Sequence, residues 1–197
     1  MFNVLLDKYP DDYEGYPIDS DFQTGIKISQ CLEDKELSEY ERLAVACNLL
    51  FEVIPEDINV CIRGITWFLN GWVTDNHKKE DSKERVIDFD QDQWRIYSAF
   101  KSQYGIDLNT DKLHWFSFMG MLSNLEECAF TRVVEIRQKK ITGKMTGDER
   151  RALKEAKLIY SIFNGSGSDL SAEEQKAVAE FMKYANINPK GSEQGEL

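Results

Sequence analysis

The sequence has few of the residues that build metal sites or disulfide frameworks. It contains four cysteines and two histidines in 197 residues, and no two cysteines form the CxxC unit common in zinc sites. Cys31, Cys47, Cys61 and Cys128 each fall within or at the end of a segment with helical spacing. We therefore expect buried free thiols, no structural metal and no cofactor.

Long apolar runs are also missing. None approaches the roughly 20 residues that a membrane-spanning helix needs, and residues 1–7 lack the basic n-region of a signal peptide. Prolines number only four, while 42% of the residues are hydrophobic and 30% are charged. A chain of this size and composition can bury a core without disulfides. We predict a globular protein of a reducing cytoplasm that does not bind membranes.

Positive charge is scarce, because the formal net charge is −11. This excess of acid argues against nucleic acid as a partner, since phosphate contacts need clustered Lys and Arg. The charge is also uneven: residues 1–75 hold 15 acidic and 5 basic side chains, whereas residues 131–160 hold nine basic and four acidic ones. Two interpretations stay open, either two solvated faces or a bipolar chain that associates head to tail with itself or a partner.

Apolar residues recur at spacings of three and four along most of the chain, which predicts an all-α fold. We expect a compact multi-helix bundle of about seven or eight helices in two packed halves, with an extended N-terminal arm over the first 18 residues. Two capping boxes mark helix N-termini, Ser38 with Glu41 and Thr146 with Glu149.

Other helix ends are predicted from single residues. Ser20 is a candidate N-cap for the first helix, and Pro55 should stop the helix that begins after the first capping box. Gly105 occupies a position where a left-handed residue would end a helix. Asn109 or Thr110 is expected to start the next helix.

Composition divides the chain into four segments. Residues 1–73 form an acidic N-terminal helical half, and residues 74–87 form a polar linker. Residues 88–163 form a C-terminal helical half. Residues 164–197 are expected to contain a flexible linker, a short helix and a disordered tail.

Several patterns imitate catalytic or metal sites but fail at a required position. The acidic runs at 88–92 and 107–111 lack the glycine and glutamate that an EF-hand loop needs at its sixth and twelfth positions. Gly143-Lys144 lacks the earlier glycine of a phosphate loop, because that residue is Gln138. His114 has no nucleophile motif with it, so a structural histidine is favoured over a general base. We expect no enzyme, although a carboxylate pair defined only by spatial separation stays open.

Aromatic residues exceed what narrow core stripes need on three predicted helices. Most of them should be buried, and the rest could anchor a partner, together with basic residues of the 131–160 stretch. The candidate partner-binding residues are Trp67, Trp72, Trp94, Tyr97, Trp115, Phe118, Arg132, Arg137, Lys139 and Lys140.

Two stretches resemble the bacteriophage gene-product-fifteen family of long-tailed phages and prophages of Gram-positive bacteria. The first is YEGYPIDSDFQTGIKISQCLED at 13–34, continued by LSEYERLAVACNLLF at 37–51. The second is VIDFDQDQWRIYSAFKSQYGIDLNTDKLHWFSFMGMLSNL at 86–125, and ERRALKEAKLIYSIF at 149–163 is a weaker match. The sequence departs from the family at Phe116, where a second tryptophan often follows His-Trp, and residues 164–197 look like an extension.

The resemblance implies a helical phage protein whose gene usually lies just upstream of the tape-measure gene. That position is typical of tail assembly chaperones, which coat the tape-measure protein in the host cytoplasm before the tail tube polymerises. It therefore implies the tape-measure protein as partner, with self-association along it. The alternative is a structural tail or connector component that stays in the virion, and an enzyme acting on the host is the third class. The family brings no catalytic residues.

Overall fold

The computed structural model of this chain describes residues 2–73 and 85–162. These residues form seven α-helices and one small antiparallel sheet, β1 (Asp12–Tyr13) with β2 (Tyr16–Pro17). The helices are α1 (Phe22–Glu33), α2 (Glu39–Leu50), α3 (Ile58–Asn70), α4 (Gln93–Gln103), α5 (Trp115–Ser123), α6 (Ala129–Gln138) and α7 (Gly147–Ile159). The all-α expectation is confirmed, because the sheet is a minor addition. Most of the predicted linker and the whole of segment 164–197 lie outside the described residues.

The described residues group into two compact units. Unit 1 comprises residues 2–73 and 89–128, and unit 2 comprises residues 85–88 and 129–162. The sequence-based division at 74–87 differs from this grouping because α5 packs directly against α1 of the N-terminal half. Helices before and after the polar run at 74–87 therefore belong to unit 1.

Phe118 of α5 is at the centre of the core of unit 1. Its ring lies 4.9 Å from Phe22, 5.1 Å from Phe100 and 5.8 Å from Trp115, measured between ring centroids, and all three pairs are stacked. Trp115 continues this cluster towards Phe68 of α3, at 6.1 Å. Aromatic rings from four helices thus fill the interior, and offset stacking adds to the free energy gained by burying them.

Local capping explains where most helices begin. Both predicted capping boxes are present, with the Ser38 and Thr146 hydroxyls accepting from the backbone N–H of Glu41 and Glu149. Each glutamate carboxylate accepts in return from the hydroxyl and the backbone N–H of its cap residue, which lowers its pKa. The N-cap of α1 is Asp21 rather than Ser20, since the Asp21 carboxylate accepts from the N–H of Gln23.

The predicted start of α5 at Asn109 or Thr110 is wrong. The helix begins at Trp115, and His114 is its N-cap. Residues 107–111 form a turn instead, because the Asp107 carboxylate accepts from the N–H of Asn109 and the Asp111 carboxylate accepts from the N–H of Asp107. Short polar side chains compete with helix in this way by bonding their own backbone.

The α2 helix ends five residues before Pro55, where the sequence predicted its stop. Its last residue is Leu50, because the chain there turns extended and pairs with the arm. Ile18 forms an antiparallel bridge with Phe51, and the N–H of Asp19 donates to the carbonyl of Leu50 at 2.8 Å. The backbone of the N-terminal arm thus competes successfully for the end of the helix.

Unit 2 consists of α6 and α7 with the short segment 85–88. Arg137 of α6 is 8% exposed. Its Nε donates to the carbonyl of Tyr160 at 2.7 Å and its Nη1 to the carbonyl of Val86 at 2.9 Å. One guanidinium therefore joins three separate stretches of the unit.

Candidate protein-binding surfaces

The ten predicted partner-binding residues separate into exposed and buried groups. Trp115 and Phe118, which were expected to bind a partner, are almost fully buried and form the core of unit 1. Arg137 is also buried, and its guanidinium donates to carbonyls within unit 2. The residues that reach the surface, and for which binding stays a prediction, are Trp67, Trp72, Trp94, Tyr97, Arg132, Lys139 and Lys140.

Trp94 borders an apolar groove in unit 1. Its side chain is 72% exposed, and its indole meets the Tyr97 ring edge-on at a centroid distance of 6.0 Å. The groove has a volume of about 430 Å³. Most of its lining is apolar and comes from α1, α4, α5 and the two loops beside α4: Phe22, Ile26, Phe89, Gln93, Trp94, Ile96, Tyr97, Leu108, Asn109 and Phe118. We call this feature the Trp94 groove.

The N-terminal arm carries a second apolar surface on unit 1. Leu5 and Leu6 are 87% and 82% exposed, and Val4 beside them is also exposed. They adjoin a cleft of about 280 Å³. The cleft is lined by Phe2, Val4, Tyr9, Trp72, Phe116, Ser117, Gly120, Met121 and Asn124. We call Val4, Leu5, Leu6 and this cleft the arm surface.

Aromatic contacts hold the arm on the helices. Phe2 packs against Phe116 at 5.5 Å, and Tyr9 stacks on His114 at 4.6 Å, both measured between ring centroids. Trp67 is half-buried between Tyr13 of the arm and Phe116, at 5.0 and 5.5 Å. Aromatic contacts before and after Leu5 and Leu6 therefore hold this segment of the arm against the helices.

Sequence reasoning missed the arm surface. The prediction of an arm was made from turn residues after Tyr9 and gave no role to the apolar residues before it. The signal was present in the run Val4-Leu5-Leu6, which has neither strand alternation nor helical spacing to assign it to a core. Adjacent exposed apolar side chains of this kind mark interaction sites more often than scattered ones.

His114 has a structural role that uses both ring nitrogens. Its Nδ1 accepts from the N–H of Phe116 at 3.0 Å, so the proton is on Nε2, which donates to the carbonyl of Pro10 at 3.0 Å. Desolvation by burial lowers the pKa of the imidazole, while the Pro10 hydrogen bond acts in the opposite direction. The structural interpretation is supported, because no nitrogen is left to act as a base.

Acid is expected to destabilise unit 1 through His114. The folded state favours neutral imidazole, so stability is complete above the ordinary histidine pKa of about 6.5 and falls as the pH drops towards the lowered folded value. Protonation at Nδ1 would remove the cap of α5. His114→Asn retains an N-cap acceptor and should flatten the dependence of urea midpoint on pH between about 7.5 and 5.

The matched control is His77→Asn, which replaces the other histidine, a residue outside those described. It should leave the pH dependence of wild type unchanged. An equal slope in wild type and His114→Asn would contradict the role given to His114.

The cysteines show no sign of reactivity in the described residues. Cys47 and Cys61 are buried, Cys31 and Cys128 are half-buried, and none of these four thiols is in a disulfide. Burial raises the pKa of Cys47 to about 12, with help from the neighbouring Cys61 thiol. Within residues 2–73 and 85–162, no three His, Cys, Asp or Glu side chains are placed to hold a metal ion. No helix in those ranges is both long and apolar enough to cross a bilayer.

The excess acid of the chain belongs to unit 1. Its described residues contain 20 Asp and Glu against eight Lys and Arg, a formal charge of −12. The described residues of unit 2 contain five against ten, but the unit counted over its full extent, 84–88 and 129–197, has 12 acidic and 13 basic residues and is nearly neutral.

The comparison with protein families identifies the chain. The sequence model of the family described as "Bacteriophage Gp15 protein" matches residues 5–162. The protein is therefore a bacteriophage protein, as the resemblance implied. It belongs to the Gp15 family, and the match covers both structural units. No curated protein and no solved structure matches the chain.

Proposed function

We propose that this protein is a tail assembly chaperone that binds the tape-measure protein in the host cytoplasm and associates with further copies of itself. Family membership supports a role in the phage, and the arm surface is the single structural observation that carries the binding role. The proposal assigns the protein no catalytic step, no cofactor, no nucleic-acid partner and no membrane partner.

The chemistry of the arm surface suits a helix of a long, rod-like partner. Fully burying a leucine side chain contributes about 1.5–3 kcal/mol, and Leu5 and Leu6 are almost completely exposed in the unbound chain. The adjoining cleft can receive apolar side chains that recur along one face of an amphipathic helix. Covering such surfaces until the tube forms is what an assembly chaperone needs to do.

The test is co-expression of the chain with the tape-measure protein of the same phage, followed by affinity capture at low salt. Leu5→Ser with Leu6→Ser should reduce the captured tape-measure protein at least about tenfold, because most of the apolar contact area is lost. The matched control is Val53→Ser with Ile54→Ser, an adjacent exposed apolar pair elsewhere in unit 1. Absence of a complex with the wild-type chain, or equal losses for both pairs, would contradict the proposal.

A structural tail or connector component would also bind the tape-measure protein, so a second experiment is needed to distinguish it from a chaperone. Mass spectrometry of purified virions separates them. A chaperone should be missing from finished particles, and detection at a fixed stoichiometry would replace our proposal with the structural role.

A further inference from the structure

The N-terminal arm carries a turn of its own. The N–H groups of Leu6 and Asp7 donate to the carbonyl of Asn3 at 3.0 and 2.8 Å, which closes a turn within the arm. Side chains join this turn to the start of α5, through the aromatic contacts of Phe2 and Tyr9. The turn can therefore leave the helices as a unit once these side-chain contacts break.

Packing between the arm and the helices is loose. A cleft of about 280 Å³ lies at their contact, and its lining includes Phe2 and Tyr9 from the arm and Trp72 and Phe116 from the helical part of unit 1. Side chains beside such a space lose part of the dispersion contacts that a close-packed interior provides. The arm is therefore held less firmly than the rings of the aromatic core.

The turn between β1 and β2 is strained. Glu14 has a φ of 52° and Gly15 a φ of 85°, so both residues lie in the left-handed region that a type I′ hairpin turn requires. Glycine adopts this region freely, but the Cβ atom of a glutamate there comes too close to the backbone. Straightening the turn relieves this strain, and short strained connections favour the exchange of elements between copies of a chain.

We propose that two copies of this chain form a domain-swapped dimer by exchanging residues 2–13 of their N-terminal arms, with Glu14 and Gly15 as the hinge. Each arm then docks on α3 and α5 of the other copy, where that copy's own arm lies in the monomer. The occupant of this surface is defined by the structure, because the incoming arm has the same sequence as the arm it replaces. The inference deepens the self-association part of the proposed function and rests on it.

Exchange re-forms the contacts of the arm between copies. Strand β1 of each copy pairs with β2 of the other, and Tyr13 packs on Trp67 of the other copy, in contacts that the monomer also makes. The residues after the hinge stay with their own copy, because Ile18 is bridged to Phe51. The dimer thus keeps the contacts of two monomers and loses the strain of two turns.

The exchange is reciprocal, so the dimer is closed. Each copy gives one arm and receives one, which leaves no docking site for a third copy. The dimer has two arm surfaces, and both are composite. Leu5 and Leu6 of each come from one copy, and Trp72 and Phe116 of the adjoining cleft come from the other.

Cross-linking between the paired strands tests the exchange. The N–H of Ile18 donates to the carbonyl of Asp11, so the next pair, Asp12 with Pro17, is a non-hydrogen-bonded pair. The Cα atoms of such pairs are about 4.5 Å apart, within the range that a disulfide spans. Asp12→Cys in a tagged full chain and Pro17→Cys in an untagged one place one thiol of the pair in each copy.

The two chains are co-expressed, purified in reductant, oxidised and separated under denaturing conditions without reductant. A disulfide-linked pair of tagged and untagged chains should form, because arm exchange brings positions 12 and 17 of different copies together. Lys35→Cys, at an exposed position of unit 1, replaces Asp12→Cys in the control for random collision. One chain with both Asp12→Cys and Pro17→Cys is the positive control, since its bond forms in monomer and dimer alike. Cross-linking no greater than in the collision control would overturn the proposal.

Sedimentation velocity of the full chain between about 1 and 100 µM is the second measurement. Wild type should pass from monomer to dimer and grow no further. Glu14→Asn creates the Asn-Gly pair preferred in type I′ turns and should raise the dimer dissociation constant at least about tenfold, because both turns lose strain in the monomer. Gly15→Pro cannot adopt the φ of 85° and should shift the chain to dimer.

Arg63→Gln is the control for Glu14→Asn. It removes the ion pair of Arg63 with Glu14, at 3.2 Å, but leaves the turn unchanged, so this variant should dimerise like wild type. A monomeric wild type at about 100 µM, or equal dimerisation of wild type and Glu14→Asn, would also overturn the proposal.

Leu5→Ser with Leu6→Ser separates this inference from the proposed function. Both leucines are exposed, so the variant keeps the contacts that hold the arm and should dimerise like wild type. Failure of a dimeric wild type to capture the tape-measure protein would contradict only the proposed function. Capture by a wild-type chain that stays monomeric would contradict only the arm exchange.

Discussion

Gly25→Ala is expected to destabilise the protein by about 3 kcal/mol, near the upper end of what overpacking costs. A Cβ atom at this position of α1 would overlap Cε3 and Cδ2 of Trp115. The indole cannot give way, because Trp115 is 2% exposed and stacks on Phe118. Either the α1–α5 contact must open or the aromatic core must rearrange.

Chemical denaturation followed by circular dichroism measures this loss, and Gly120→Ala is the matched control. Gly120 is also helical, but nothing lies within 4 Å of an added Cβ there. The control should be stabilised by about 0.5–1 kcal/mol, since alanine is the better helix former. Combining Gly25→Ala with Trp115→Leu should cost less than the sum of the single changes. Similar stabilities for the two alanine variants would refute the tight contact.

Features encoded within a few neighbouring residues could be predicted from the sequence. The starts of α2 and α7 follow from capping boxes that span four residues each, and Gly105 has the left-handed φ of 71° expected at the end of α4. The start of α5 could not be predicted in this way. His114 acts as its cap while held by Pro10, a residue 104 positions away, and by the ring of Tyr9.

The sequence has more aromatic residues than narrow core stripes need, but composition alone did not show which of them are buried and which are exposed. In α4 the buried face contains Ile96, Ala99 and Phe100, and Trp94 is two positions before Ile96, so it points elsewhere. In α5, Trp115, Phe118 and Leu122 share one face and are all buried. The position of each tryptophan relative to the buried face of its helix separates Trp94 from Trp115, and packing against other helices decides which face is buried.

The grouping of helices into units was beyond sequence reasoning for a similar reason. The polar run at 74–87 has the composition of an interdomain linker, yet helices on both sides of it belong to unit 1. Close packing of Trp115 on Gly25 decides this arrangement, and neither residue indicates the other along the chain. The arm surface was missed because exposure of Leu5 and Leu6 depends on how the arm docks.

Arg137→Met should destabilise unit 2 by about 3 kcal/mol, because hydrogen bonds from charged groups each contribute roughly 1.5–3 kcal/mol. Methionine is nearly as long and fills the space, but it cannot donate to the carbonyls of Tyr160 and Val86. The carbonyl of Arg137 itself accepts from the Lys157 ammonium at 2.7 Å, so the same turn of α6 also fixes α7.

Hydrogen exchange measured by mass spectrometry should locate the effect of this change in unit 2. Arg137→Met should lose protection in residues 129–162 and retain it in α1, α3 and α5, since the carbonyls of Tyr160 and Val86 both belong to unit 2. Arg137→Lys should show protection between that of wild type and that of Arg137→Met, because an ammonium lacks the planar guanidinium geometry that reaches two carbonyls at once. Arg150→Met, at an exposed position of α7, should change stability by less than about 0.5 kcal/mol. If the Arg137 and Arg150 variants exchanged alike, the two carbonyl contacts would not stabilise the unit.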